Sequence, residues 1–225
     1  MQCIVTRCYH FHNAVHCEKL GHVPKKIDHQ VRRLQLLDAL WRITRRDGWD
    51  AISLRKVAAE AGVSMGMVQH YFTTKDEMLR FAVEMMEEDV RQRIRERVAK
   101  LPTPPGPRLL VWTVLSEMIP SPARRSEEVE AAGIFMRRFT LSPASAARFA
   151  RSGAELRQAI KDQILLARKG SDADADRDAG GLIAILNGLM FDFVTGAQTS
   201  ETALATMRTQ IEFVFGPAAD GELDG

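Results

Sequence analysis

The stretch from Ile52 to Phe72, ISLRKVAAEAGVSMGMVQHYF, limits this chain's fold more than any other. Ser53 is placed to cap a first short helix, on which Val57, Ala58 and Ala61 make a small apolar face. That helix must end at Gly62, because glycine takes the left-handed conformation at little cost. Ser64 then caps a second helix. Small residues at Ala58, Ala61 and Gly66 suit two helices crossing closely at a steep angle. Thr74 and Glu77 follow at capping-box spacing and open a third helix, whose positive end suits a phosphate. A cap–helix–glycine–cap–helix unit also occurs in ordinary helical bundles, but with the capping box directly after it the pattern is that of a helix-turn-helix, which lays its second helix in a DNA major groove.

Gly62-Val63-Ser64-Met65-Gly66-Met67-Val68-Gln69-His70-Tyr71-Phe72, followed by Lys75 and Leu79, resembles the DNA-binding domain of TetR-family transcriptional regulators, over about Lys25 to Leu79. The resemblance implies an all-α homodimer. Its N-terminal three-helix helix-turn-helix domain (residues 23–75) precedes a helical ligand-binding and dimerisation domain (76–217). Function is then repression, released from a palindromic operator in double-stranded DNA by an unknown small-molecule inducer; the same fold also serves activators.

The family pattern assigns roles by position. Lys25 and Lys26 lie where the first helix nears phosphate, and Ser53 and Arg55 meet the backbone or groove edge. Ser64, Met65, Gly66 and Met67 form the exposed start of the recognition helix. There Gly66 lets the backbone close on DNA, and the methionines offer apolar contact, for instance to a thymine methyl. Gln69 and His70 face the groove or its wall, and Tyr71 and Lys75 resemble phosphate clamps. Val68 and Phe72 belong to the core. The family often carries a phosphate-touching tyrosine where this chain has Gln69. Glutamine also pairs well with adenine, so two contacts are open to it.

Charge agrees with this division. The formal net charge is +2, but residues 23–75 carry ten Lys/Arg against five acids, while 76–225 carry 19 against 23. A basic module on an acidic body suits a polyanion partner. No apolar run approaches the roughly 18 residues of a membrane helix, and the N-terminal residues lack the apolar segment of a signal peptide. The expected compartment is the cytoplasm, with no membrane partner.

Residues 1–22 contrast with the rest, holding Cys3, Cys8 and Cys17 and four of the six histidines. Zinc favours such ligands, but the paired spacing of zinc modules is missing. A disordered extension is expected, with the true start at Val23, and no metal or cofactor. A metal-dependent module is the competing reading.

Helix one is predicted over about 28–47, with Val31, Leu34, Leu37, Leu40 and Trp41 as its core stripe. Helix four, about 75–99, carries Arg91, Arg93, Arg95 and Arg97 on a solvated face and links reader to body. Residues 101–107, LPTPPGP, form a rigid loop. Body helices are expected near 108–119, 124–141 and 142–169. Trp112, Leu115, Met118, Phe135, Met136, Phe139, Phe149, Leu156 and Met190 suit an adaptable ligand pocket, though ordinary core suits any single one better. Residues 170–181 are expected as a flexible acidic loop. Residues 182–194 then form a helix apolar nearly all round, which must be covered on both sides, and a last helix spans 201–215. In the family these two helices pair with their copies. That assigns Leu182, Leu186, Leu189, Met190, Phe193, Leu204, Met207, Ile211, Val214 and Phe215 to the dimer interface. Residues 218–225 are expected as a disordered tail. Nucleophile elbow, phosphate-cradling glycine loop and metal-ligand helix are all missing from the sequence, which argues against an enzyme.

Overall fold

The computed structural model describes residues 25–120, 143–168 and 172–216, and every regular element among them is helical. The expected helix over 124–141, with Phe135, Met136 and Phe139, lies outside the described residues, as do the Cys/His-rich segment 1–22 and the tail 218–225. The chain divides into two compact units at Ala82 and Val83.

In the first unit, α1 (Lys25–Asp47) begins slightly earlier than predicted. Its buried stripe is Leu36, Leu37, Ala39, Leu40, Trp41 and Ile43, whereas Val31 is 43% exposed and not core. A 3-10 turn (Trp49–Ala51) leads to α2 (Leu54–Ala61), α3 (Met65–Tyr71) and the first two turns of α4 (Lys75–Val98). The expected division after Lys75 falls later because Met78, Leu79, Phe81 and Ala82 of α4 are buried in this unit.

Two devices fix α1 against the motif. Glu60 of α2 accepts hydrogen bonds from Arg42 Nε and Arg46 Nη1, each 2.9 Å, and Arg42 also pairs with Asp38. An arginine on the basic first half of α1, such as Arg33, would ordinarily turn to solvent. Its guanidinium carbon instead sits 3.9 Å from the centre of the Phe81 ring and 5.0 Å from that of Phe72. The two rings are themselves 5.5 Å apart. Aromatic faces attract a cation through their quadrupole, so Arg33 ties α1 to the exit of α3 and the start of α4.

The second unit holds the rest of α4, α5 (Pro107–Met118), α6 (Pro143–Ala167), α7 (Asp172–Thr195) and α8 (Ser200–Phe215). Pro107, expected in the loop, opens α5, where its missing N–H is no loss. One core joins α5 to α8: Trp112, Leu115, Ile160, Ile164, Leu182, Leu186, Met207 and Ile211 are among its buried residues. Two of the four arginines expected on a solvated face of α4 are engaged elsewhere. Arg93 Nε and Arg97 Nη1 each donate to Glu117 of α5 at 3.0 Å, while Arg91 and Arg95 pair with Glu88 on their own helix.

The acidic segment is the main correction. From Asp172 onward it is not a loop but the start of α7. Acids are favoured in a helix's first turn by its dipole, and cations come from α6 and from Arg168 just beyond its end. Arg157 forks onto Asp176 (3.0 and 2.6 Å), Lys161 Nζ reaches Asp172 at 2.8 Å, and Arg168 pairs with Asp178. A Cβ at Gly180 would come within 3.0 Å of the Arg157 guanidinium, so that glycine keeps the space for the fork. Joining the acidic and apolar segments makes α7 long and apolar enough, by composition, to cross a membrane, which the sequence reading had excluded. Ala175, Ala179, Leu182, Leu186 and Leu189 nevertheless pack into the unit's own core.

Candidate nucleic-acid interface

The turn between α2 and α3 is built by its caps. Ser53 Oγ accepts from Lys56 N at 3.2 Å and starts α2. Gly62 ends it in the left-handed conformation (φ 67°, ψ 30°), with Val63 N donating to Ala58 O at 2.9 Å. Ser64 Oγ then accepts from Met67 N at 3.2 Å and starts α3. Beyond α3, Thr74 Oγ1 accepts from Glu77 N at 3.0 Å. The Glu77 carboxylate returns to Thr73 N at 2.8 Å, one residue earlier than the usual capping box.

These caps hold a seven-residue helix with one face inward. Val68 and Phe72 are fully buried. Gly66, Met67, Gln69 and His70 are exposed, and Met65 and Tyr71 are half-buried at the edges. The His70 and Tyr71 rings meet edge to face with centres 5.1 Å apart. Arg55, on the first turn of α2, is exposed, Ser53 and Lys75 are half-buried, and Ser64 caps α3 from an exposed position. Lys25 and Lys26 open α1, and their side chains lie outside the described set. Gly66 does not serve helix–helix approach as expected: a Cβ built there meets only Ser64 Oγ, at 3.9 Å.

In the body, Trp112 and Leu115 are buried in the core, and Met118, Leu156 and Met190 are partly buried against it. Phe149 lies on α6, with its side chain outside the described set. Sequence reasoning missed two polar features near these residues. Arg208 of α8 lies over Trp112, its guanidinium carbon 5.3 Å from a ring centre. Thr113 Oγ1 is buried with no hydrogen-bond partner. Apolar periodicity carries no signal for either.

The residues assigned to a dimer interface are mostly covered by the chain itself. Leu182, Leu186, Leu189, Phe193, Met207, Ile211 and Val214 are buried within one chain, and Met190, Leu204 and Phe215 are partly buried against the same core. The outward stripes of the same helices are Ala184, Gly188, Phe191 and Thr195 on α7, and Thr202, Ala205, Thr209 and Phe213 on α8. The helix expected to be covered on both sides is covered on one among the described residues, and most of its larger side chains are on that inner face.

Two capped short helices at the head of a helical chain, the second presenting an uncharged face, define a helix-turn-helix DNA-binding regulator. The chain belongs to the TetR family: residues 36–81 match the model of bacterial regulatory proteins of the tetR family, and residues 107–216 match the C-terminal domain of BetI-type transcriptional repressors. Its members are transcriptional regulators rather than enzymes. The chain is 38% identical over 108 residues to the HTH-type transcriptional regulator PksA of Bacillus subtilis, covering 48% of this chain and 51% of that one. It is 46% identical over 61 residues to the nicotine-responsive repressor HdnoR of Paenarthrobacter nicotinovorans, covering 27% and 31%. The match thus spans about half the length, or less, of these relatives. Among solved structures, a transcriptional regulator from Rhodococcus superposes with a TM-score of 0.67 at 25% identity, covering 83% of this chain and 99% of that one. A regulator from Saccharomonospora viridis crystallised with choline gives 0.66 at 23%, covering 81% and 96%, a likeness of fold.

Proposed function

We propose that the chain acts as a cytoplasmic homodimeric repressor, released from a palindromic operator by a small organic inducer. The observation that carries the reading is the exposed face of α3: Gly66, Met67, Gln69 and His70 stand clear of the fold on a helix capped at its start and anchored by Val68 and Phe72. Such a helix, held by its neighbours and bare on one side, is built to be read against something else. Arg55, Tyr71, Lys75 and the lysines opening α1 supply phosphate contacts around it, which position the helix without specifying sequence.

Dimerisation is supported by the outward stripes of α7 and α8, where Phe191 is 52% exposed and Phe213 is 84% exposed. Small residues at Ala184, Gly188 and Ala205 allow close approach of a second copy. A two-fold axis then sets the spacing of two half-sites. Ligand response is supported by the BetI-type C-terminal match and by the two relatives named for nicotine response and choline binding. A polar partner for a bound molecule is offered by the Thr113 hydroxyl, buried with no hydrogen-bond partner among the described residues and next in sequence to the core residue Trp112. An inducer must bind the DNA-free state more tightly than the DNA-bound one. It acts through α4, which runs from one unit into the other.

The test is fluorescence anisotropy of the duplex upstream of the chain's own gene against a scrambled duplex, at stated salt. Preferential binding, lost on adding a member of a panel of small amines that includes choline, supports the reading. Equal, weak and salt-sensitive binding to both duplexes refutes it.

A further inference from the structure

Gly66 is the second residue of α3, a helical position where glycine serves the fold poorly. Glycine weakens a helix relative to alanine because it has more backbone freedom to lose. Among the described residues, nothing requires it there. Its φ is not left-handed, and a Cβ would meet only Ser64 Oγ at an ordinary 3.9 Å.

Val68 is fully buried and fixes the inward direction of α3. Residues two before and two after it lie about 200° round the helix. Gly66 and His70 therefore head the outward face, with Met67 and Gln69 beside them, and all four are exposed. The centre of that face is a bare notch, bordered by the Met67 thioether, which is 40% exposed, and by the His70 ring. No Lys, Arg, Asp or Glu occurs from Gly62 to Phe72, so α3 lacks the Arg or Lys fork that makes the commonest specific contact, to guanine. The thymine C5 methyl is the apolar group that base edges present in the major groove, and it has the size of the side chain that Gly66 lacks.

We propose that Gly66 is a specificity-determining residue: its missing side chain seats the C5 methyl of a thymine in each half-site, with Met67 packed against the methyl's flank. The inference rests on α3 being the reading helix. It makes a complementary prediction, because alanine at 66 adds a methyl at the place where the base contributes one.

The full-length protein is used to select duplexes from a library randomised over its central positions. Thymines in the selected half-site are then replaced one at a time by deoxyuridine, which deletes only the C5 methyl. Wild-type protein is expected to lose affinity at one such thymine. Gly66→Ala is expected to keep or raise Tm, to bind the thymine duplex about tenfold more weakly, and to prefer the deoxyuridine duplex at that same position. Met67→Ala should lose most of its sensitivity to the methyl. A Gly66→Ala protein that binds both duplexes as wild type does, or loses equally on both, overturns the notch. A fall in its Tm also overturns the proposal, because the glycine then serves the fold. A selection that returns no preferred sequence removes the reading helix itself, and the proposal with it.

Discussion

Phe213 and Ile211 lie two residues apart on α8 and separate folding from association. Phe213 is 84% exposed and Ile211 is fully buried. A phenylalanine carries about 200 Å² of buriable surface, so Phe213 leaves about 170 Å² in water in a single chain. At about 25 cal/mol per Å² its full coverage stabilises a dimer by at most about 4 kcal/mol per protomer. Ordering costs and imperfect packing reduce this to about 2 kcal/mol. Two copies across a two-fold axis give about 4 kcal/mol, or about a thousandfold in dissociation constant. Phe213→Asp, measured by sedimentation equilibrium, should therefore shift the protein toward monomer at micromolar concentration. Its unfolding in urea, followed at a concentration where the wild type is also dissociated, should change little. Ile211→Ala should do the reverse, costing about 2–5 kcal/mol of folding stability through a core cavity. A Phe213→Asp protein as dimeric as wild type would show that the outward stripe of α8 is not the interface.

Three other outcomes test different parts of the chain. Ser53→Ala and Ser64→Ala each remove a cap bond and should cost about 1 kcal/mol in urea unfolding; Ser64→Ala should also weaken DNA binding, since that cap sets the start of α3. The Glu60 carboxylate is held below the usual range by hydrogen bonds first from Arg42 and then from Arg46. Its contribution is present above the ordinary carboxylate range and is lost as pH falls through that range and below it. Glu60→Gln should flatten this part of the acid-unfolding profile of the first unit, as read by Trp41 fluorescence in a chain carrying Trp49→Phe and Trp112→Phe. Lys75→Ala should weaken binding to all duplexes alike and reduce the slope of log K against log salt by about one, the signature of a lost phosphate contact.

The motif was legible because caps and a left-handed glycine are local. Ser53, Gly62 and Ser64 each act within a few residues of themselves, so their spacing was enough to place α2 and α3. What the sequence hid was set by distant partners. Arg33 looks like any cation on a basic helix until two rings from α3 and α4 are brought under it. Arg93 and Arg97 share a run of alternating arginines with Arg91 and Arg95, and only the position of Glu117 separates the two pairs. The aspartates of 172–178 suggested a solvated loop because Asp172, Asp176 and Asp178 find their partners, Lys161, Arg157 and Arg168, in α6 or just beyond its end.

The same distinction between local and distant partners bears on the faces of α7 and α8. Apolar periodicity finds the buried face of a helix, and in α7 and α8 it led to Leu182, Leu186, Met207 and Ile211, which the chain keeps for itself. On the dimeric reading proposed above, a partner surface that leaves the free chain in solution is one of small and isolated residues, as are Ala184, Gly188 and Phe191 in one exposed stripe and Ala205, Thr209 and Phe213 in the other. The reading face of α3 follows the same rule, with a glycine at its centre. At Gly66 the described residues leave room for a side chain that is not there, so packing within the fold does not account for the glycine.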